Sequence, residues 1–148
     1  MQFVSKKSLA LLVAFAGLAH AQMTPVGTWH SIDDNTGKPK AEISIRDNGK
    51  GVLVGKVERS LQPSSAEPNC SLCTDDRKGQ PKIGMEIIRG GQQSDGKTVW
   101  EGGKILDPEN GKNYSLRLTP IDGGKKLEVR GFIGAPLLGR TQTWIRVQ

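Results

Sequence analysis

The sequence predicts an all-β fold, an eight-stranded antiparallel up-and-down barrel, with a two-sheet sandwich as the alternative. Three observations carry this reading. Turn chemistry recurs at short intervals in a chain holding 19 glycines and 8 prolines. Apolar and polar residues alternate with period two between the turns, and strand-like runs stand near both ends of the chain. The turns are Asp33-Asp34-Asn35-Thr36-Gly37, Asp47-Asn48-Gly49, Gly90-Gly91, Ser94-Asp95-Gly96, Asp107-Pro108-Glu109-Asn110-Gly111 and Asp122-Gly123-Gly124. Asn-Gly and Asp-Gly pairs supply the positive φ angles of tight hairpins, and no long stretch shows helical spacing.

Between the turns, strands are predicted at Gly27–Ile32, Lys40–Arg46, Val52–Arg59, Gly84–Arg89, Thr98–Leu106, Lys112–Thr119, Leu127–Ile133 and Gly139–Arg146. Ala41, Ile43 and Ile45 oppose Lys40, Glu42, Ser44 and Arg46. Tyr114, Leu116 and Leu118 oppose Ser115, Arg117 and Thr119, and Leu127 and Val129 oppose Glu128 and Arg130. One wet and one dry face follow, and a sheet with one dry face must cover it or curl on itself. Eight strands with short links fit a barrel wide enough for one small ligand. The inward, ligand-facing candidates are Ile43, Ile45, Val54, Ile87, Trp100, Ile105, Tyr114, Leu116, Leu118, Leu127 and Val129. A one-residue slip would invert any of these faces.

The two ends supply the closure. A terminal strand left alone exposes unpaired backbone, and pairing the last strand with the first removes that edge. Trp29 then lies beside Arg140 or Arg146, where a guanidinium over the indole face would seal one end. Trp144 is the second large residue of that seam.

Ahead of the barrel, Lys6 and Lys7 precede an apolar core, Leu9–Leu18, and the exit Ala19-His20-Ala21. This is the layout of a secretory signal peptide, its apolar part too short to remain as a span. Residues 1–21 are therefore expected to be removed, leaving Gln22–Gln148 as a single domain in the bacterial periplasm or beyond. The residue directly after the cleavage point is Gln22 and not a cysteine, so no lipid anchor is expected at the new N-terminus. The net charge of +6 falls to +4 with the loss of Lys6 and Lys7. Basic residues are scattered singly and only one Tyr and three Phe accompany them, which argues against nucleic-acid binding.

One connection differs from the rest. Leu61–Lys82 is long, polar and broken by Pro63, Pro68 and Pro81, and is expected to lie over one barrel end or against the wall. It carries the only cysteines, Cys70 and Cys73. In an oxidising compartment they should form a local disulfide. A redox role would need a helix N-terminus, and Asp75 and Asp76 would raise the thiol pKa.

Catalytic signals are weak. His30, the one histidine beyond the leader, has no recognisable nucleophile and leaves a zinc site short of ligands, so no metal and no cofactor are expected. Asp33, Asp34, Asp107 and Glu109 sit in turn motifs where carboxylates serve the backbone. An enzyme would have to recruit His30, Asp33, Asp107, Arg130 or Arg140, and no spacing demands it.

Gly27-x-Trp29 with a late arginine is similar to the lipocalin signature. More specifically, the chain resembles the bacterial exported family known as domain of unknown function 2147. The likeness runs through Gly27-Thr28-Trp29, Asp34-Asn35-Thr36-Gly37-Lys38, Cys70-x-x-Cys73, Trp100-x-Gly102-Gly103-x-Ile105-Leu106-Asp107-Pro108, Gly111-Lys112-x-Tyr114 and Arg130-Gly131-Phe132-Ile133-Gly134. It closes on Pro136-Leu137-Leu138-Gly139-Arg140-Thr141-Gln142-Thr143-Trp144. The resemblance implies a secreted, lipocalin-like barrel and transfers no catalytic residues. Two functions follow as expectations: binding a small apolar or amphipathic ligand in the periplasm, or contacting an envelope protein partner through loops around a filled core. The apolar link Phe132–Leu138 favours the second if it is exposed.

Overall fold

The computed structural model describes residues 22–63 and 67–147. Among them, nine antiparallel strands form one continuous sheet: β1 (Gly27–Ile32), β2 (Pro39–Asp47), β3 (Leu53–Ser60), β4 (Glu86–Arg89), β5 (Gln92–Gln93), β6 (Trp100–Asp107), β7 (Lys112–Ile121), β8 (Lys126–Phe132) and β9 (Gly139–Arg146). The order around the sheet is β4-β3-β2-β1-β9-β8-β7-β6-β5, and β4 also pairs with β6, which closes the ring. The two-residue β5 continues β4 past the Gly90-Gly91 kink and shares its partner β6. The two together act as one bent strand, and the barrel is eight-stranded. The signal-peptide reading of residues 1–21 lies outside the described residues.

The ends meet as the alternation required. Trp29 pairs with Arg146 and His30 with Ile145, and the Val147 amide donates to Thr28 O at 2.8 Å. The second closure needs a glycine. A Cβ on Gly103 would stand 2.5 Å from the backbone of Gly90 and Gly91, so only a bare backbone lets β6 cross the kinked strand.

Pairing across the ring places Trp29, Ile43, Ile45, Leu53, Val57, Ile88, Trp100, Leu116, Leu118, Leu127, Val129 and Trp144 on the inner face. All of them are buried. Val54 is a correction. It pairs with Arg46 on the outer face, whereas Leu53, opposite Asp47, and Gly55, opposite Ile45, face inward. The run Leu53-Val54 is apolar at both phases, so the pattern alone could not choose the parity. On β4 both Ile87 and Ile88 are buried. A register shift beside Gly55 puts Ile88 opposite Gly55 and Ile105 on the inner face.

The long connection packs against the wall. Cys70 and Cys73 form a disulfide, Cα–Cα 5.4 Å, and both are buried. Arg77, only 6% exposed, fixes the segment: it forms a two-pronged ion pair with Asp75 and donates to Glu86 O at 2.8 Å and Asn113 Oδ1 at 2.9 Å. Gly111 receives the backbone of Leu72 so closely that a Cβ there would lie 2.0 Å from Leu72 O. Leu106 pairs with Asn113, on the outward side, yet is 2% exposed. The connection covers it.

Candidate functional site

The barrel has a sealed base and an open mouth. The base is closed by Arg146, whose guanidinium carbon lies 4.1 Å from the centre of the Trp29 ring. The same side chain donates to Gly124 O (2.6 Å), Val26 O (2.9 Å), Thr24 O (2.5 Å) and Gln22 O (3.3 Å). These carbonyls belong to segments outside the sheet, so one cation satisfies acceptors that have no strand partner. Burial pushes the Arg146 pKa down, but an arginine remains charged at neutral pH. Trp29 Nε1 donates to Pro25 O at 2.8 Å, and the indole is fully buried.

Arg140 is not Trp29's partner, which corrects the first of the two readings. It stands at the opposite end of β9, six residues from Arg146 and thus ~20 Å along the strand. There it pairs with Asp34 at 2.9 Å.

Above the buried layers the inward-facing residues change character. Ala41, Ile105, Tyr114, Gly131 and Gln142 face the barrel axis by their pairing, yet each is half-buried rather than buried. Side chains that point inward and still meet water outline a shallow cup. Its wall is Ala41, Ile105, Tyr114, Gly131 and Gln142, and the buried Ser31 and Trp144 lie beneath it. Asp34 binds the lip together. It accepts from Arg140 and, at 3.0 Å, from Gln142 Nε2, and Gln142 Oε1 accepts from Trp144 Nε1 at 3.2 Å. Across the mouth Lys40 pairs with Glu109 at 2.8 Å, and Asn110 Nδ2 donates to the Tyr114 hydroxyl at 3.0 Å. Arg140 and Lys40 are thus each matched by a carboxylate, and the cup offers an apolar wall with a hydrogen-bonding rim.

Of the ligand-facing candidates, Ile105 and Tyr114 therefore line the cup. Ile43, Ile45, Trp100, Leu116, Leu118, Leu127 and Val129 are buried in the core beneath it. Ile87 is a second correction: Ile88 takes the inward place opposite Gly55 and Ile105, so the buried Ile87 lies on the outer side of the strand. Ala41, expected on the dry face, and Asp34, expected to serve only its turn, also belong to the cup, and Gln142 carries no sequence expectation. Gln142 was accessible in principle, because it alternates with Trp144 on one strand.

The other candidate chemistry is dispersed. His30 lies on the outer face, 3.2 Å from Glu42, which also accepts from Arg59 at 2.9 Å. Those two hydrogen bonds, Arg59 first, hold the Glu42 carboxyl below its ordinary range. Asp33 accepts from the Asn35 and Thr36 amides and Asp107 from the Glu109 amide, so both carboxylates shape turns. Two open clefts lie outside the wall. One, of about 390 Å³, runs over β6–β8 between Lys104, Arg117, Phe132 and Pro136. The other, of about 380 Å³, lies between Arg77, Ile83 and Glu86.

Residues 27–146 match the family model DUF2147, described as an uncharacterized protein conserved in bacteria. The chain belongs to this family. The DUF2147 barrel is also similar to a solved Helicobacter pylori protein, HP1028, described as belonging to the lipocalin family. The TM-score is 0.70 at 18% identity, over 83% of this chain and 82% of that one. At that identity the likeness shows the fold, a lipocalin-like barrel, and nothing finer. No curated protein matches the DUF2147 chain.

Proposed function

We propose that this DUF2147 barrel is an exported protein that binds a small amphipathic molecule at its mouth rather than deep in its interior. The carrying observation is the gradient along the barrel axis. From base to mid-height the interior is filled by Trp29, Ile45, Leu53, Trp100, Leu118 and Leu127, and the inward residues above them remain open to solvent. A ligand lodged there would rest its apolar part on Ile105, Tyr114 and Ala41 and its hydrogen-bonding head on Gln142 and the Arg140–Asp34 pair. Such a pattern, apolar wall with few convergent polar groups, is the usual make-up of small-molecule sites.

Export to the periplasm is supported by the Lys6-Lys7 leader pattern and by the Cys70–Cys73 disulfide, which persists in oxidising compartments. Native mass spectrometry of protein recovered from its own cells is expected to show a retained small molecule. Dodecanoate, as a model amphipath, is expected to perturb Trp144 fluorescence, an effect that Gln142→Ala weakens at least tenfold. Bare polypeptide in every preparation, with no response to dodecanoate, would exclude the cup as a binding site.

A protein–protein module is the second reading, favoured by the exposure of the Phe132–Leu138 link. Ile133 is 60% exposed, Leu137 90% and Leu138 76%. In-cell crosslinking from this link that captures one stoichiometric envelope protein would favour it over the cup.

A further inference from the structure

The β8–β9 connection presents an apolar tip that the cup does not use. Pro136–Leu138 is a 3-10 turn with proline leading it, Leu137 and Leu138 stand out into solvent, and Ile133 of the same connection is exposed too. The turn is braced in that posture. Arg130 Nε and Nη2 donate to Pro136 O at 2.8 and 2.6 Å, and Nη1 donates to Thr141 Oγ1 at 2.8 Å. Three large aliphatic side chains are thereby held away from the wall instead of collapsing onto it.

The surroundings are cationic. Around the turn stand Arg130 and Arg140, and the outer cleft that Pro136 and Phe132 line adds Lys104 and Arg117. Against these four cations are Glu101, paired with Arg117, and Asp34, paired with Arg140. Lys104 bonds the Ser115 hydroxyl at 3.0 Å and has no carboxylate in reach among the described residues. The local balance is positive.

We propose that the Ile133–Leu138 turn inserts into an anionic lipid surface and sets the barrel mouth against it. A convex tip of three aliphatic side chains needs no shaped pocket in its partner, only a deformable apolar medium. It suits the acyl–headgroup boundary, where apolar burial and attraction between cations and anionic headgroups add to a reversible attachment. The proposal rests on the turn and its cations and does not require the cup to hold a ligand.

Sedimentation with vesicles tests it, using phosphatidylcholine alone and phosphatidylcholine mixed with phosphatidylglycerol. The protein is expected to bind the mixed vesicles and to release as salt rises. Leu137→Ser with Leu138→Ser should weaken partitioning at least tenfold, and Lys104→Gln should reduce its salt dependence. Both leucines are exposed, so circular dichroism and Tm of the double variant should match the parent. Residues 1–21, kept or removed alike in the two proteins, cancel in the comparison. Leu138→Trp should shift its emission to the blue on mixed vesicles. Partitioning that the leucine changes leave untouched, or no binding to either vesicle, would overturn the proposal. So would a concentration-dependent dimer in light scattering that the double variant abolishes, which would assign the tip to a second copy of the chain. The dodecanoate response of Trp144 in the double variant reads the cup separately.

Discussion

At Arg146 one guanidinium covers the Trp29 ring and also collects carbonyls from the segment before β1 and from the β7–β8 turn. Removing either member exposes the other's contact surface, so the two substitutions should not add. A double-mutant cycle of Trp29→Leu and Arg146→Ala, followed by urea denaturation, is expected to give a coupling of about 0.5–2 kcal/mol. Arg140→Ala should be additive with Trp29→Leu, because the two sit at opposite ends of the barrel. Asp75 is the other residue with a large private effect. Its two-pronged bonding to Arg77 holds its carboxyl well below the ordinary range. A carboxyl whose folded pKa is depressed contributes stability above its unfolded pKa, and that contribution fades as pH falls toward the folded value. Asp75→Asn is therefore expected to lower stability at neutral pH by about 1–2 kcal/mol. That is less than a fully buried pair would cost, since a third of the Asp75 side chain meets solvent. It should also flatten the fall of Tm between about pH 4 and pH 2, which thermal scans across that range would read directly.

Among the elements, the connection between β3 and β4 departs most from hairpin economy, and its cost is met by anchoring. The disulfide closes a very short ring, so its chain-entropy contribution is only about 2 kcal/mol. Cys70→Ser with Cys73→Ser should lower stability by roughly that amount and leave the barrel intact, as urea melts and circular dichroism would show. Gly111→Ala is the harsher change. Its φ of +73° and the approach of Leu72 O both exclude a side chain. The connection should lift from the wall, measured as faster proteolysis between residues 67 and 82. Much at this scale was legible: the turns, the alternating strands and the cysteine pairing all follow from local chemistry. Parity was not legible where both phases are apolar. Leu53-Val54, Ile87-Ile88 and Ile105-Leu106 each offer two candidates, and bulges or a covering segment decide between them. The choice between Arg140 and Arg146 stays open in the sequence for a related reason. Both lie on one face of one strand, and only the register of β1 against β9 says which reaches Trp29.

Over the whole molecule the closure between first and last strands was readable because an unpaired edge is costly. The state of the interior was not, because it depends on how far three indoles fill a cross-section that no single strand reveals. Both closures are short ladders. Among the described residues β1–β9 and β4–β6 each share two register pairs, whereas the β7–β8 hairpin shares seven. Hydrogen exchange should therefore open the β1–β9 closure before the β7–β8 ladder, with the amides of His30 and Val147 losing protection before those of Leu118 and Val129. Uniform protection around the ring would mean that Arg146 holds the short seam as tightly as a full ladder. One further consequence follows from the sealed base. Among the described residues, Gln22 and Val147 lie on the same side of the barrel, both within the reach of Arg146 or its strand neighbours. A bead, dye or sensor chip tethered at either point grips the molecule by its heel, and the four connections at the far rim stay free to meet whatever flows past.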